Sequence, residues 1–112
     1  MGEINPLDTE SILAHLRELA ETENLRITVH AQQEMAAEDV SVDDVLNLIC
    51  DGQIIENYPT HRRGPCGLLV GKTIDGRNLH VVCTTTAPTL IIITAYIPLP
   101  PRWTSPTERG DQ

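Results

Sequence analysis

His30, Glu56, His80 and Tyr96 are the side chains of this chain whose types and settings could carry acid–base chemistry. His30 stands in Thr28-Val29-His30-Ala31 at a predicted helix start, where the helix dipole favours a neutral imidazole and hence a base. His80, inside the aliphatic run Leu79-His80-Val81-Val82, would be its acid partner. Glu56 and Tyr58 alternate onto one face of a predicted strand, and Thr94 and Tyr96 onto one face of another. Ionisable groups set among branched aliphatic residues need a partner, solvent or a ligand. Whether His80 joins Thr94 and Tyr96 depends on the loop around Pro88. An odd number of loop residues puts all three on one face, and an even number turns His80 toward Ile93 and Ala95. A structural role is open to each: His30 orienting a helix start, Glu56 pairing with a base, and His80 and the tyrosines packing in a sheet.

Cationic help for such a set would come from Arg62, Arg63 and Arg77, with Lys72 as a further source. His61-Arg62-Arg63-Gly64-Pro65 is the basic cluster of the chain and falls in a turn between strands, where it can hold one phosphate or carboxylate or simply be solvated. No metal or cofactor is expected. His80 and Cys83 are three apart on a strand, so they point to opposite faces and cannot easily share an ion, and the glycines at 64, 67 and 71 lack the Lys-Ser/Thr ending of a phosphate loop. Cys50, Cys66 and Cys83 form no CxxC pair and leave an odd thiol, which fits a reducing compartment.

With 112 residues the chain makes one domain, with an ordered core over about 5–103 and a frayed end over 104–112. There is no Phe, one Trp and two Tyr, so the core must be aliphatic and base-stacking platforms have almost no material. The net charge is −8 and unevenly spread, because residues 1–51 hold twelve acids and two bases while residues 52–112 hold four acids and six bases. That balance argues against general binding to a phosphate backbone but leaves room for a local anion site. The start of the chain carries no basic, then apolar leader, and Leu90-Ile91-Ile92-Ile93 is far too short to span a bilayer, so a cytoplasmic protein with no membrane contact is expected.

The pattern divides into a helical first half and a strand-rich second half. Asn5-Pro6 reads as N-cap and first helical position, and Ile12, Leu13, Leu16, Leu19 and Ala20 predict a helix over about 6–22. Leu25-Arg26-Ile27 is a brief strand or extended link, Thr28 caps a second helix through about Glu38, and Ser41 with Asp44 forms a capping box for a third that Gly52 ends. Four antiparallel strands follow, over 53–58, 66–74, 78–84 and 90–97, with a type I′ turn at Asp75-Gly76. Leu79-Val81-Cys83 and Ile91-Ile93-Ala95 should face the core, and Trp103 should anchor a tail that wraps over the surface. The fold class is therefore α+β, with N-terminal helices packed on one face of a four-stranded antiparallel sheet.

Several blocks carry a family resemblance: Thr28-Val29-His30-Ala31, Asp44-Val45, Gly52-Gln53-Ile54-Ile55-Glu56-Asn57-Tyr58-Pro59, Leu68-Leu69-Val70-Gly71, Asp75-Gly76-Arg77-Asn78-Leu79-His80-Val81-Val82 and Ile93-Thr94-Ala95-Tyr96-Ile97-Pro98. In content and order they resemble the DUF4258 family over about 24–103. That family is similar in fold to the RelE/ParE and BrnT-like ribonuclease toxins, so the resemblance implies a RelE-like sheet with helices on one face. It also implies ancestry in a toxin–antitoxin system. Similar sequences carry Arg or Lys four and eight residues after the helix histidine, where this chain has Glu34 and Glu38. Carboxylates there repel phosphate instead of holding it. The expected function is a non-catalytic or weakened toxin–antitoxin-type component acting by contact with a protein partner or cognate antitoxin. The alternative is a metal-independent ribonuclease using His30 and His80.

Overall fold

In the computed structural model, which describes residues 4–62, 64–100 and 103–110, the first helix starts later than Pro6. Asn5 Oδ1 accepts from the Leu7 N–H (2.9 Å) in a turn, and Asp8 becomes the N-cap by accepting from the N–H groups of Glu10 and Ser11. Helix α1 therefore spans Thr9–Glu21 and buries Ile12, Leu16, Leu19 and Ala20. A short strand β1, Leu25–Ile27, leads into α2, Val29–Glu38, whose N-cap Thr28 accepts from the Ala31 N–H (3.1 Å). Helix α3, Val42–Asp51, has the expected capping box. Ser41 Oγ accepts from the Asp44 N–H (3.0 Å), and Asp44 Oδ2 accepts from the Ser41 N–H (2.8 Å). Gly52 ends α3 at a close crossing, where a Cβ would lie 2.5 Å from the carbonyl oxygens of both Leu48 and Val70.

Strands β2 (Gln53–Tyr58), β3 (Cys66–Lys72), β4 (Asn78–Thr84) and β5 (Leu90–Tyr96) form antiparallel pairs in sequence order. The sheet is nevertheless five-stranded and mixed, in the order β1-β5-β4-β3-β2, and the helices do not form one N-terminal block because β1 separates α1 from α2. β1 runs parallel to β5, with Leu25 opposite Leu90 and Ile27 opposite Ile92. Two bonds bracket it, from the Leu90 N–H to the Asn24 carbonyl and from the Thr28 N–H to the Ile92 carbonyl, both 3.0 Å. The segment is thus the brief strand of the two readings open to it, but three residues give too few alternating positions to show where it pairs, and its partner lies in the other half of the chain.

Two further differences are local. The 75–76 connection is not a type I′ turn, because only Gly76 is left-handed (φ 89°). The Gly76 N–H reaches the Thr73 carbonyl and the Thr73 N–H the Arg77 carbonyl, which is a turn closed by a left-handed glycine. Thr73 Oγ1 donates to the Asp75 carboxylate and accepts from the Arg77 N–H, and Arg77 Nε donates to the same carboxylate, bracing Asp75 from both sides. In the β4–β5 pair the register shifts between Val82 and Cys83, so Val82 opposes Thr94 but Cys83 opposes Ile92. This bulge changes which side of β5 is inward. Leu79, Val81 and Cys83 face the helices as expected, but their β5 companions are Leu90, Ile92 and Ala95, all without exposed surface, in place of Ile91-Ile93-Ala95.

One core therefore lies between the three helices and one face of the sheet. The C-terminal segment crosses to the other face and forms a hairpin, β6 (Trp103–Ser105) and β7 (Glu108–Arg109), in a stretch where the sequence predicts fraying. Among the described residues, no helix is long and apolar enough to cross a membrane.

Candidate functional site

The sheet face turned away from the helices carries the residues with chemistry. His80 on β4 stands directly opposite Tyr96 on β5, and Val82 opposite Thr94, so His80, Thr94 and Tyr96 share that face. His80 has no exposed surface. Its Nε2 lies 2.6 Å from the Pro106 carbonyl oxygen and its Nδ1 lies 3.1 Å from the Tyr96 hydroxyl. A carbonyl only accepts, so Nε2 carries the proton and the Tyr96 O–H donates to Nδ1. Trp103 packs edge-on against the imidazole, ring centroids 4.3 Å apart and planes at 87°, and Tyr96 does the same at 5.2 Å. The β6–β7 hairpin is thus what encloses His80: Trp103 covers the ring and the Pro106 carbonyl accepts its Nε2–H.

In front of Tyr96 lies a cleft of about 360 Å³ bounded by His30, Glu34, Thr94, Leu99 and Trp103. α2 brings His30 and Glu34 to it on one helical face, four residues apart, with His30 Nε2 3.4 Å from Glu34 Oε1. The same oxygen accepts from Thr94 Oγ1 (2.9 Å) and from the Ala95 N–H (3.0 Å). Glu34 therefore pins α2 to β5 where the register shift has left the Ala95 N–H pointing at the helix. The His30 side chain is 67% exposed and that of Glu34 26%, so the pair borders solvent.

Three of the four candidate acid–base residues thus meet at one place, with His30 and Tyr96 lining the cleft and His80 behind Tyr96. Glu56 does not join them. It lies on the same face but on β2, opposite Leu68, three strand spacings from β5 or about 14 Å at about 4.8 Å each. There it accepts a hydrogen bond from the Tyr58 hydroxyl. Arg77 is placed at the C-terminal end of α2. Its Nη1 and Nη2 donate to the carbonyls of Glu38 (2.6 Å) and Asp39 (2.7 Å), and its Nε reaches the Asp75 carboxylate (3.1 Å). All three of its nitrogens are thus engaged in the fold. Arg62 stands at a separate groove beside His61, and Arg63 lies outside the described residues.

The two buried thiols, Cys66 and Cys83, are not poised as nucleophiles. Burial pushes Cys66 up, and burial together with the neighbouring Cys66 pushes Cys83 up to about 12. Among the described residues, no group of three or more His, Cys, Asp and Glu side chains is placed to hold a metal. Sequence reasoning saw Glu34 as a reversed charge, not as a strut, and saw Trp103 as an anchor without its imidazole partner. The four-residue spacing of His30 and Glu34 was the available signal for the first. Nothing in the sequence marks the Pro106 carbonyl.

No match was found among curated proteins or among solved structures. A family profile described as Domain of unknown function (DUF4258) matches residues 27–97, which run from the end of β1 to just past β5 and include His30, Glu56, His80 and Tyr96, and the chain belongs to the DUF4258 family.

Proposed function

We propose that this DUF4258 domain is a toxin–antitoxin-type component of RelE- or BrnT-like ancestry whose ribonuclease activity is lost or weakened, and that it works in the cytoplasm by contact with a protein partner such as a cognate antitoxin. One observation carries the reading: His80 has no exposed surface and both its ring nitrogens are bonded within the chain. A general acid must reach the group it protonates, directly or through one water. Two features support the same reading. Glu34 puts a carboxylate at the cleft where phosphate would need a cation, and Arg77 has all three of its nitrogens engaged at the C-terminal end of α2 and on Asp75. The net charge of −8 disfavours RNA as a ligand.

Co-expression with the product of the adjacent reading frame tests this. The expected result is a stable complex that forms equally well with His30→Ala and His80→Gln. Failure to form a complex, together with growth arrest that depends on both histidines, would replace this reading with the catalytic one.

That second reading, a metal-independent ribonuclease, is favoured by a specific contact, the Tyr96 hydroxyl in an open cleft with the His80 imidazole as base behind it. Its mark would be RNA cleavage abolished by Tyr96→Phe.

A further inference from the structure

The hairpin and Trp103 cover only one part of the outer sheet face. Beyond them, between the 61–64 turn and β5, lies a groove of about 520 Å³, within the range of small-molecule sites. Its floor is formed by Cys66, Val82, Ile91 and Ile93. Ile91 and Ile93 reach this face because of the β4–β5 register shift, which puts branched aliphatic side chains where an outward strand face would ordinarily be polar. Thr28 and Thr84 also line the groove, but their hydroxyls are committed to backbone. Thr28 Oγ1 donates to the Ile93 carbonyl (2.9 Å) and accepts from the Ala31 N–H, and Thr84 Oγ1 donates to the Thr89 carbonyl and accepts from the Ile91 N–H. Cys66 is a neutral thiol there. The interior is thus apolar.

The mouth is cationic. Gly64, at φ 105°, donates its N–H to the His61 carbonyl (2.9 Å) and closes the turn that holds His61 and Arg62 at the groove. Arg62 is exposed and makes no ion pair among the described residues, and none of the described lining residues is a carboxylate. In a chain with twice as many acids as bases, an apolar groove with the exposed Arg62 guanidinium at its mouth has a defined complement.

We propose that this groove binds a small amphipathic anion, a single carboxylate or phosphate head on an apolar body, with the head at Arg62 and His61 and the body along Val82, Ile91 and Ile93. This site is separate from the His80–Tyr96 cleft and does not depend on the protein-partner reading. The head bonds the guanidinium while the body replaces water over the aliphatic floor.

Titration of the full chain with octanoate and with octyl phosphate, followed by amide chemical shifts, tests the proposal, with octanol and inorganic phosphate as controls. Saturable shifts centred on Val82, Ile91 and Ile93 are expected with one or both anions, and the tighter of the two identifies the head group. Arg62→Glu, a surface change, should weaken binding at least about tenfold, and octanol should bind weaker than either anion by a similar factor. Ile93→Glu should abolish binding. No saturable binding of either anion, shifts centred elsewhere, octanol binding as tightly as octanoate, or inorganic phosphate binding as tightly as octyl phosphate would each overturn it.

Discussion

Glu34 reads in the sequence as a reversed charge and in the fold is a strut between α2 and β5. Its carboxylate oxygen serves Thr94 Oγ1 and the Ala95 N–H and faces His30. Glu34→Ala leaves that N–H without its acceptor and should cost about 1–3 kcal/mol in urea denaturation, whereas an exposed surface ion pair would be worth under about 1. Asp44 makes a comparable link. Besides the Ser41 N–H, its carboxylate accepts from the Ile74 N–H (2.8 Å), tying α3 to the β3–β4 turn, and these two bonds hold it below the usual carboxylate range. A lowered folded-state value means that Asp44 stabilises the fold above its unfolded value of about 3.9, and that this contribution is lost as pH falls through the lower folded value. Asp44→Ala should therefore destabilise the protein at pH 7 by about 1–3 kcal/mol, and its difference from the parent chain should shrink in denaturation curves taken near pH 3. The sequence made Asp44 legible as a cap because capping is local. It could not show the bond to Ile74, nor that Arg77 would close on the carbonyls of Glu38 and Asp39, because those contacts need the tertiary fold.

At the scale of elements, local signals were read well where they were strong. The caps at Thr28 and Ser41 and the aliphatic runs gave α2, α3, β2 and β4 close to their observed bounds. What escaped were features with no period of their own: the parallel pairing of β1 with β5, the register shift that inverts part of β5, and the β6–β7 hairpin. The pairing of His80 with Tyr96 followed from parity, which the sequence could pose but not decide. The hairpin matters most, because it buries His80 on the outer face of the sheet. Trp103→Ala removes the ring that lies edge-on to the imidazole and should cost about 3–5 kcal/mol. It should also expose the bond from His80 to Pro106, so the Nε2 proton, protected from solvent exchange in the parent chain, should exchange rapidly in the variant by proton NMR. Loss of stability with that protection intact would mean that something other than Trp103 shields His80.

The whole molecule separates its tasks by face. The helical half carries a net −10 and packs on one side of the sheet, while the half contributing β2 to β7 carries +2 and sets its chemistry on the other side. Under the proposed readings, Arg62 set against the field of an acidic protein suits one anionic group better than a length of RNA. The enclosed His80, the carboxylate at the cleft and the distant Glu56 are the observations on which the proposed loss of ribonuclease activity rests. The direct measurement is cleavage of purified RNA, alone and on ribosomes, by the parent chain and by folded His30→Ala, His80→Gln and Tyr96→Phe variants across pH 5–9. The account predicts no product from the parent chain above the level of the variants at any pH. Cleavage by the parent chain that disappears in the His80 and Tyr96 variants would contradict it and make the His80–Tyr96 pair the active centre of a ribonuclease.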